Sequence, residues 1–203
     1  MMGPVYVITD PDASLPVAAQ ALSAAQGGAG AVQIRDKHIS DDDFAALVSA
    51  LLPQMRALGV KLIVNDRAGV ALRTMADGLH IGQGDGDPRA LREQMPKGMI
   101  LGLSVQTVAQ ARRIPAGVDY IGAGPVRATA TKPDHAAPVG LEGLAQIAAA
   151  TALPCYAIGG IKHGDARALK TAGAVGMAVV SAVTRAPDPV AATRALLTDW
   201  SMA

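Results

Sequence analysis

Aromatic residues are scarce in this sequence, where they make up only 2% of 203 residues. A buried core must therefore be built from aliphatic side chains, and a hydrophobic content of 50% supplies enough of them for a domain of this length. Cysteine is nearly absent: Cys155 is the only one, which excludes a disulfide within the chain. A single cysteine suits the reducing cytoplasm, which is the location that we expect.

An excess of charge of one sign is also missing. Lysine and arginine number 18 against 17 aspartates and glutamates, so nothing favours nucleic acid or an anionic membrane as a partner. The first ten residues lack the basic segment of a signal peptide. The longest apolar run, near residues 172–183, is too short to cross a bilayer. We therefore expect a soluble protein, and whether it forms a homo-oligomer stays open.

Short runs rich in β-branched residues alternate with stretches that have helical spacing, eight of each. This alternation is typical of βα units around a parallel sheet, and eight units favour a closed (β/α)8 barrel that forms one domain over residues 1–203. A doubly wound open sheet is the alternative. The predicted strands are 5–9, 31–35, 61–64, 78–81, 100–104, 120–124, 155–158 and 176–180, and the predicted helices are 15–26, 41–58, 69–75, 88–94, 107–113, 141–150, 164–171 and 189–200.

Local signals mark several of the predicted helix starts. Ser40 precedes three aspartates, which suits an N-cap at the positive end of a helix dipole. Pro88 and Pro189 stand where a first helical turn would begin. Pro53 falls inside the second predicted helix, and a proline there predicts a kink or the end of the helix.

The polar residues best suited to binding or catalysis follow the ends of predicted strands. In a (β/α)8 barrel these ends share one face, and active sites are built there. Side chains from distant parts of the sequence would therefore converge. The residues concerned are Gln33, Arg35, Lys37, Asn65, Asp66, Gln83, Asp85, Ser104, Thr129, Thr131, Lys132, Gly159, Gly160 and Ser181.

The segment after the second strand combines an amide with two cations. Gln33, Arg35 and Lys37 occupy alternate positions, which point to the same side of a strand. Such a set suits a polyanion together with a ring that has hydrogen-bonding edges. The alternative interpretation is a solvated strand end with a surface salt bridge.

Two carboxylates follow adjacent strands, at Asp66 and Asp85. Oxygen ligands of this kind suit Mg²⁺, which takes one or two protein carboxylates and completes its shell with phosphate and water. The alternative is a helix cap at Asp66 and a turn at Asp85. His80 is interpreted as a packed strand residue, because no other histidine stands at a metal-binding spacing.

Two further loops have the composition of phosphate sites. The loop 122–133 is long and carries Thr129, Thr131 and Lys132, so it could close over phosphates or simply be a surface loop. Gly159 and Gly160 follow a buried strand, where paired glycines let backbone N–H groups approach an anion or form a tight turn. The loops after strands seven and eight are the usual phosphate site of this barrel.

In order and spacing, these motifs resemble those of the thiamine-phosphate synthase family from about residue 5 to 185. Quoted as they stand, the motifs are VYVITD at 5–10, VQIRDK at 32–37, VNDR at 64–67, ADGLHIGQGD at 76–85, LGLS at 101–104, DYIG at 119–122, TATK at 129–132 and AIGGI at 157–161. The resemblance implies a Mg²⁺-dependent barrel transferase. The enzyme joins 4-amino-2-methyl-5-hydroxymethylpyrimidine diphosphate to a thiazole phosphate and releases pyrophosphate.

The resemblance also implies a role for each site residue. Arg35, Ser104 and Lys132 would act catalytically on the leaving group. Gln33 would hold the pyrimidine, and Asp66 and Asp85 would bind Mg²⁺. The pyrophosphate would be held by Arg35, Lys37, Asn65, Ser104 and Lys132, and the thiazole phosphate by Thr129, Thr131, Gly160, Val180 and Ser181. Gly159 is also assigned to substrate binding.

Four residues in three segments depart from the family pattern. Gln106 stands where a histidine is common, Gly84 replaces a common acidic residue, and Arg127-Ala128 replaces a frequent aromatic-proline pair. The sister family of thiazole tautomerases is the alternative function, and a non-catalytic barrel that binds a phosphorylated ligand is the third hypothesis. The presence of Asn65, Asp66 and Lys132 favours the synthase.

Overall fold

Eight parallel strands form a closed barrel in the computed structural model, which describes residues 2–129 and 137–203. Each strand pairs with its neighbours in the sequence, and the last strand pairs with the first. The predicted (β/α)8 barrel is confirmed, and the open sheet is excluded. The strands are β1 Val5–Ile8, β2 Ala31–Ile34, β3 Lys61–Asn65, β4 Gly78–Ile81, β5 Ile100–Val105, β6 Tyr120–Ala123, β7 Cys155–Ile158 and β8 Gly176–Val179.

The described residues contain nine helices, one more than predicted. The additional helix is a single turn directly after β8, so Ser181 begins a helix and does not end a strand. None of these helices has the length and apolar character needed to cross a membrane. The helices are α1 Val17–Gln26, α2 Asp41–Ala57, α3 Ala68–Thr74, α4 Pro88–Gln94, α5 Val108–Ala111, α6 Gly140–Ala149, α7 Ala166–Thr171, α8 Ser181–Thr184 and α9 Pro189–Met202.

The strands bury both of their faces, because successive side chains point to opposite sides. The outer face of the barrel packs against the helices through residues such as Val32 and Leu62. The lumen holds a separate cluster that contains Tyr6, Tyr120 and Tyr156. The three tyrosine rings pack edge to face with centroids 5.9, 5.9 and 5.6 Å apart. Three of the five aromatic residues therefore lie in the floor of the barrel mouth.

The helix starts follow the local signals in the sequence. Ser40 caps α2, because its hydroxyl accepts the Asp43 N–H at 3.1 Å, and Pro88 and Pro189 begin α4 and α9. Helix α2 nevertheless continues through Pro53 to Ala57. Pro53 cannot donate to the Ser49 carbonyl, but both residues are exposed, so water can satisfy that carbonyl.

Candidate active site

A cavity opens at the carboxyl ends of the strands, above the tyrosine rings. Its walls come from strand ends and from the loops that follow them, so residues far apart in the sequence meet there. Nine of the predicted site residues line this cavity: Gln33, Arg35, Asn65, Ser104, Thr129, Gly159, Gly160, Val180 and Ser181.

The remaining predicted site residues fall into two groups. Lys37, Asp66 and Asp85 do not line the cavity, but Asp66 directly follows Asn65, which does. Lys37 and Asp85 are close enough to the Asp66 carboxylate to affect its pKa, so the three residues lie together at the rim of the cavity. Thr131 and Lys132 lie outside the described residues.

The backbone of Arg35 is fixed by the end of β1. Buried Thr9 accepts the Arg35 N–H at 2.9 Å and donates its hydroxyl hydrogen to the Arg35 carbonyl at 3.2 Å. In the described part of the chain, neither Arg35 nor Lys37 forms an ion pair with a carboxylate. Two positive charges at this edge are therefore available to an anionic ligand.

The carboxylates of Asp66 and Asp85 face each other across the ends of β3 and β4. Asp66 adopts a left-handed backbone conformation with φ of 59°, which aspartate tolerates better than most residues. Its side chain accepts a hydrogen bond from the Asn65 amide at 2.8 Å, and Asp85 accepts the Gly82 N–H at 2.7 Å. Burial, together with the negative charge of Asp85, raises the pKa of Asp66 to about 6.

This pair of like charges fits a divalent cation. A bound cation would relieve the repulsion that raises the pKa of Asp66. Among the residues that the structure describes, no three His, Cys, Asp or Glu side chains form a cluster. Two carboxylates are enough for Mg²⁺, because this ion typically completes its octahedral shell with phosphate oxygens and water.

Two independent features of the structure require glycine, and no larger residue, at Gly159 and Gly160. Both have left-handed backbone conformations, with φ of 99° and 65°. A Cβ atom on Gly160 would also lie 2.7 Å from the Cβ of Arg127, and one on Gly159 would lie 2.6 Å from the Cα of Pro125. The close approach arises because the Arg127 N–H donates to the Gly159 carbonyl at 3.0 Å. The segment after β6 therefore packs directly on the glycine loop.

Arg127, one of the departures from the family pattern, fastens these two loops together. Its guanidinium donates to both carboxylate oxygens of Asp165, at 2.6 and 2.9 Å, and to the Gly160 carbonyl at 3.2 Å. Burial raises the pKa of Asp165, but the hydrogen bonds from Arg127 and from the Lys162 N–H outweigh it and lower this pKa. The ion pair thus positions the glycine loop from outside the cavity.

We expect a double-mutant cycle of Arg127→Met and Asp165→Asn to give a coupling of about 1 kcal/mol, near the top of the range for pairs that are partly exposed. The coupling should be present above the ordinary carboxylate pKa and be lost as the pH falls through the lowered pKa of Asp165. Urea unfolding at several pH values measures it. The Arg73–Asp42 pair is a matched control, because its side chains are 51% and 89% exposed and its coupling should be close to zero. Equal coupling in both cycles would contradict the claim that the Arg127–Asp165 ion pair holds the two loops together.

Sequence reasoning missed Asp10, which is only 2% exposed. Its carboxylate accepts two hydrogen bonds from Arg185, at 2.9 and 3.2 Å, and thereby ties the end of β1 to the segment after α8. Its backbone also exchanges hydrogen bonds with the Gln20 side chain of α1, at 2.8 and 2.7 Å. The available signal was an acidic residue directly after a buried strand, but its partner lies 175 positions away.

Sequence reasoning also missed Tyr6 and Tyr120 and the hydrogen bonds that link them to other polar side chains inside the lumen. The Gln33 amide donates to the Tyr6 hydroxyl at 2.6 Å, and the hydroxyls of Tyr6 and Tyr120 are 2.9 Å apart. The Tyr120 hydroxyl is 2.9 Å from Nδ1 of His80, and Nε2 of His80 is 2.9 Å from the Ser104 hydroxyl. His80 is buried in β4, as predicted, but it also lines the cavity.

Cationic side chains, a carboxylate pair and a glycine loop all lie at the mouth of this closed barrel. These features are typical of (β/α)8 enzymes that act on phosphorylated molecules. The family model described as thiamine monophosphate synthase matches residues 5–183. The chain belongs to this family, and its activity is that of a thiamine-phosphate synthase, a transferase.

Individual relatives agree with this assignment. A thiamine-phosphate synthase from Roseiflexus sp. is 49% identical over 197 residues, which cover 96% of this chain and 84% of that protein. The thiamine-phosphate synthase of Chloroflexus aurantiacus is 44% identical over 195 residues, which cover 95% and 90% of the two chains. The structure of thiamine phosphate pyrophosphorylase from Pyrococcus furiosus matches with a TM-score of 0.89 at 34% identity, covering 98% of this chain and 96% of that one.

Proposed function

We propose that the barrel mouth couples 4-amino-2-methyl-5-hydroxymethylpyrimidine diphosphate to a thiazole phosphate in a Mg²⁺-dependent reaction. The observation that carries this proposal is the rim where Arg35 and Lys37 stand beside the Asp66–Asp85 pair. Cations next to two carboxylates are what a diphosphate and its metal ion require. A barrel that only bound a phosphorylated ligand would have no need of groups that stabilise a leaving group. We also propose that the reaction takes place in the cytoplasm, which the single, buried Cys155 suits.

The chemistry needs no nucleophile from the protein. The C–O bond between the pyrimidine methylene and the diphosphate breaks, and its electron pair leaves with pyrophosphate. The electron-rich aminopyrimidine stabilises the resulting carbocation, and the lone pair of the thiazole nitrogen then forms the new C–N bond. Bound Mg²⁺, held by Asp66 and Asp85, would help to neutralise the departing pyrophosphate.

The chain's own residues orient the substrates and stabilise the leaving group. Gln33 holds the pyrimidine ring at the bottom of the cavity. Negative charge grows on the pyrophosphate in the transition state, where preorganised donors have their largest effect. These donors are Arg35, Lys37, Asn65, Ser104 and Lys132.

The thiazole phosphate binds on the opposite wall. Gly159 and Gly160 bring backbone close to the phosphate, and Ser181 begins α8 beside them. Thr129 lies on the same side of the cavity. Thr131, two residues further on, is assigned to this phosphate by its motif. The two anionic groups are thus kept apart by the width of the barrel mouth.

The test is to mix the purified chain with both substrates and to measure pyrophosphate and thiamine phosphate. We expect both products with Mg²⁺ and neither after the metal has been removed with excess EDTA; adding Mg²⁺ back should restore them. Full activity without metal would overturn the Mg²⁺ assignment. No product under any of these conditions would overturn the coupling and leave the tautomerase or the ligand-binding barrel.

A further inference from the structure

Five side chains form one continuous row of hydrogen bonds from the bottom of the cavity to its wall: Gln33, Tyr6, Tyr120, His80 and Ser104. The exposed fractions of Tyr6, Tyr120 and Gln33 are 1%, 2% and 2%, so water does not replace these contacts. Burial raises the pKa of both tyrosines above its usual value. Each phenol therefore keeps its hydrogen at ordinary pH and has to donate it to a partner.

With a neutral imidazole, counting hydrogens leaves only two arrangements in which every contact of the row is a hydrogen bond and every phenol hydrogen has an acceptor. In the first, Gln33 donates to Tyr6, Tyr6 to Tyr120, and Tyr120 to Nδ1 of His80. The hydrogen of His80 is then on Nε2 and is donated to Ser104. In the second, every bond is reversed, which requires the carbonyl oxygen of the Gln33 amide to face Tyr6. The other arrangements either leave a buried hydroxyl hydrogen without an acceptor among the described residues, which costs about 1–3 kcal/mol, or place the two phenol oxygens 2.9 Å apart with no hydrogen between them.

The orientation of the Gln33 amide selects the first arrangement. Its nitrogen faces the Tyr6 hydroxyl at 2.6 Å, which leaves its carbonyl oxygen for the cavity. An aminopyrimidine presents an N–H donor from its exocyclic amine, and that donor needs an acceptor of this kind. The proposed substrate therefore favours the same amide orientation that the protein adopts.

We propose that His80 is a positioning residue: a neutral imidazole with its hydrogen on Nε2, which holds the oxygen of Ser104 and leaves the hydroxyl hydrogen of Ser104 for a substrate oxygen. In the reversed arrangement, Ser104 would donate its hydrogen to His80 and would offer the substrate only lone pairs. Lone pairs would repel a leaving pyrophosphate, whereas a hydroxyl hydrogen stabilises it. This part of the inference rests on the proposed function, while the position of the hydrogen on His80 does not.

The hydrogen position can be measured directly by nitrogen NMR of the full chain labelled at its four histidines. The His80 signals are assigned by their absence in His80→Gln. We expect the hydrogen on Nε2 in the native protein, and we expect Tyr120→Phe to disturb this preference because it removes the donor to Nδ1. Tyr156→Phe is the matched control, because Tyr156 lies in the same aromatic layer but donates to the Met2 carbonyl at 2.8 Å. A hydrogen on Nδ1, or a charged imidazole, at neutral pH would overturn the proposal.

Kinetics test the positioning role separately. His80→Gln keeps an N–H donor near Nε2, whereas His80→Leu removes it. We expect His80→Leu to lower the single-turnover rate by about 10–100-fold, the range found for outer partners of functional ligands, with little change in KM for the thiazole phosphate. His80→Gln should recover most of this rate, and Tyr156→Phe should stay near the native rate. Equal losses in His80→Gln and His80→Leu that follow their melting temperatures would show a merely structural role. If the native chain makes no product, the coupling reaction fails, and the NMR result still decides the state of His80.

Discussion

Asp66→Asn is expected to raise the melting temperature of the metal-free protein and, at the same time, to remove most of its activity. The native pKa of Asp66 is about 6, above the ordinary value of 3.8, because burial and the nearby Asp85 disfavour the charged form. The folded protein therefore holds this proton more tightly than the unfolded chain does, and its stability falls as the pH rises from about 4 to about 6. Asparagine has nearly the same shape without the charge and can still accept the hydrogen bond from Asn65.

Melting temperatures measured without metal at about pH 4 and about pH 8 test the stability part of this prediction, because the gain should appear only at the higher pH. Activity with Mg²⁺ should fall by about 10²–10³-fold, as expected when a group that stabilises a developing anion is lost. Mg²⁺ affinity of the native protein should weaken below about pH 6, since binding must displace the proton of Asp66.

Asp85→Asn provides the comparison. Asp85 is exposed and accepts the Gly82 N–H at 2.7 Å, so its replacement should lower activity to a similar extent without the same gain in stability. Activity losses that simply follow a lower melting temperature in both variants would mean that the two aspartates are loop caps and not metal ligands.

Lys132→Ala is expected to slow the chemical step by about 10²–10³-fold, which is the usual effect of removing one donor to a developing anion. Lys132 lies outside the described residues, so this prediction rests on its place in the TATK motif at 129–132. Because the pyrophosphate gains negative charge only as the C–O bond breaks, a lysine bound there acts more strongly on the transition state than on the bound substrate. Affinity for the thiazole phosphate should change little.

Ser181→Ala is the matched variant for the other phosphate. The thiazole phosphate keeps the same charge throughout the reaction, so its ligands stabilise the ground state and the transition state equally. The variant should therefore raise the KM for the thiazole phosphate and leave the single-turnover rate nearly unchanged. Single-turnover rates and titrations of both substrates on both variants separate these effects. The opposite pattern, with an unchanged rate in Lys132→Ala and none in Ser181→Ala, would reverse the assignment of the two phosphate sites.

Most of the fold could be predicted because it is encoded locally. Each strand is a short buried run that is bounded by turn residues, and eight such runs alternating with helical stretches are enough to indicate a barrel. The single-turn helix α8, Ser181–Thr184, escaped this reasoning because four residues are too few to show a helical period. The end of the helix at Pro53, one of the two effects predicted for this residue, was wrong for a different reason. The effect of a proline depends on whether the affected carbonyl faces solvent, and the sequence does not show that directly.

The position of most site residues could be predicted from one geometric rule, that strand ends meet at one face of the barrel. The contacts between them could not. Asp10 and Arg185 are 175 positions apart, and His80 and Ser104 are 24 apart on neighbouring strands. Such partners have no characteristic spacing, because the barrel's closure and register decide which side chains meet. The same limit applies to Arg127, because its partner Asp165 lies 38 positions further along the chain and in a different loop.

The distribution of aromatic residues gives the protein two separate optical reporters. Trp200, the only tryptophan, is buried in α9 with the Lys170 ammonium 5.1 Å from its ring centroid, so its emission reports how the last helix is docked. All three tyrosines lie in the lumen, and Tyr6 also lines the cavity, so near-ultraviolet tyrosine signals report on the barrel interior. A ligand that enters the cavity should change the second signal and leave the first unaltered. Loosening of α9 should do the reverse, which allows ligand binding and fraying of the chain end to be followed independently in one sample.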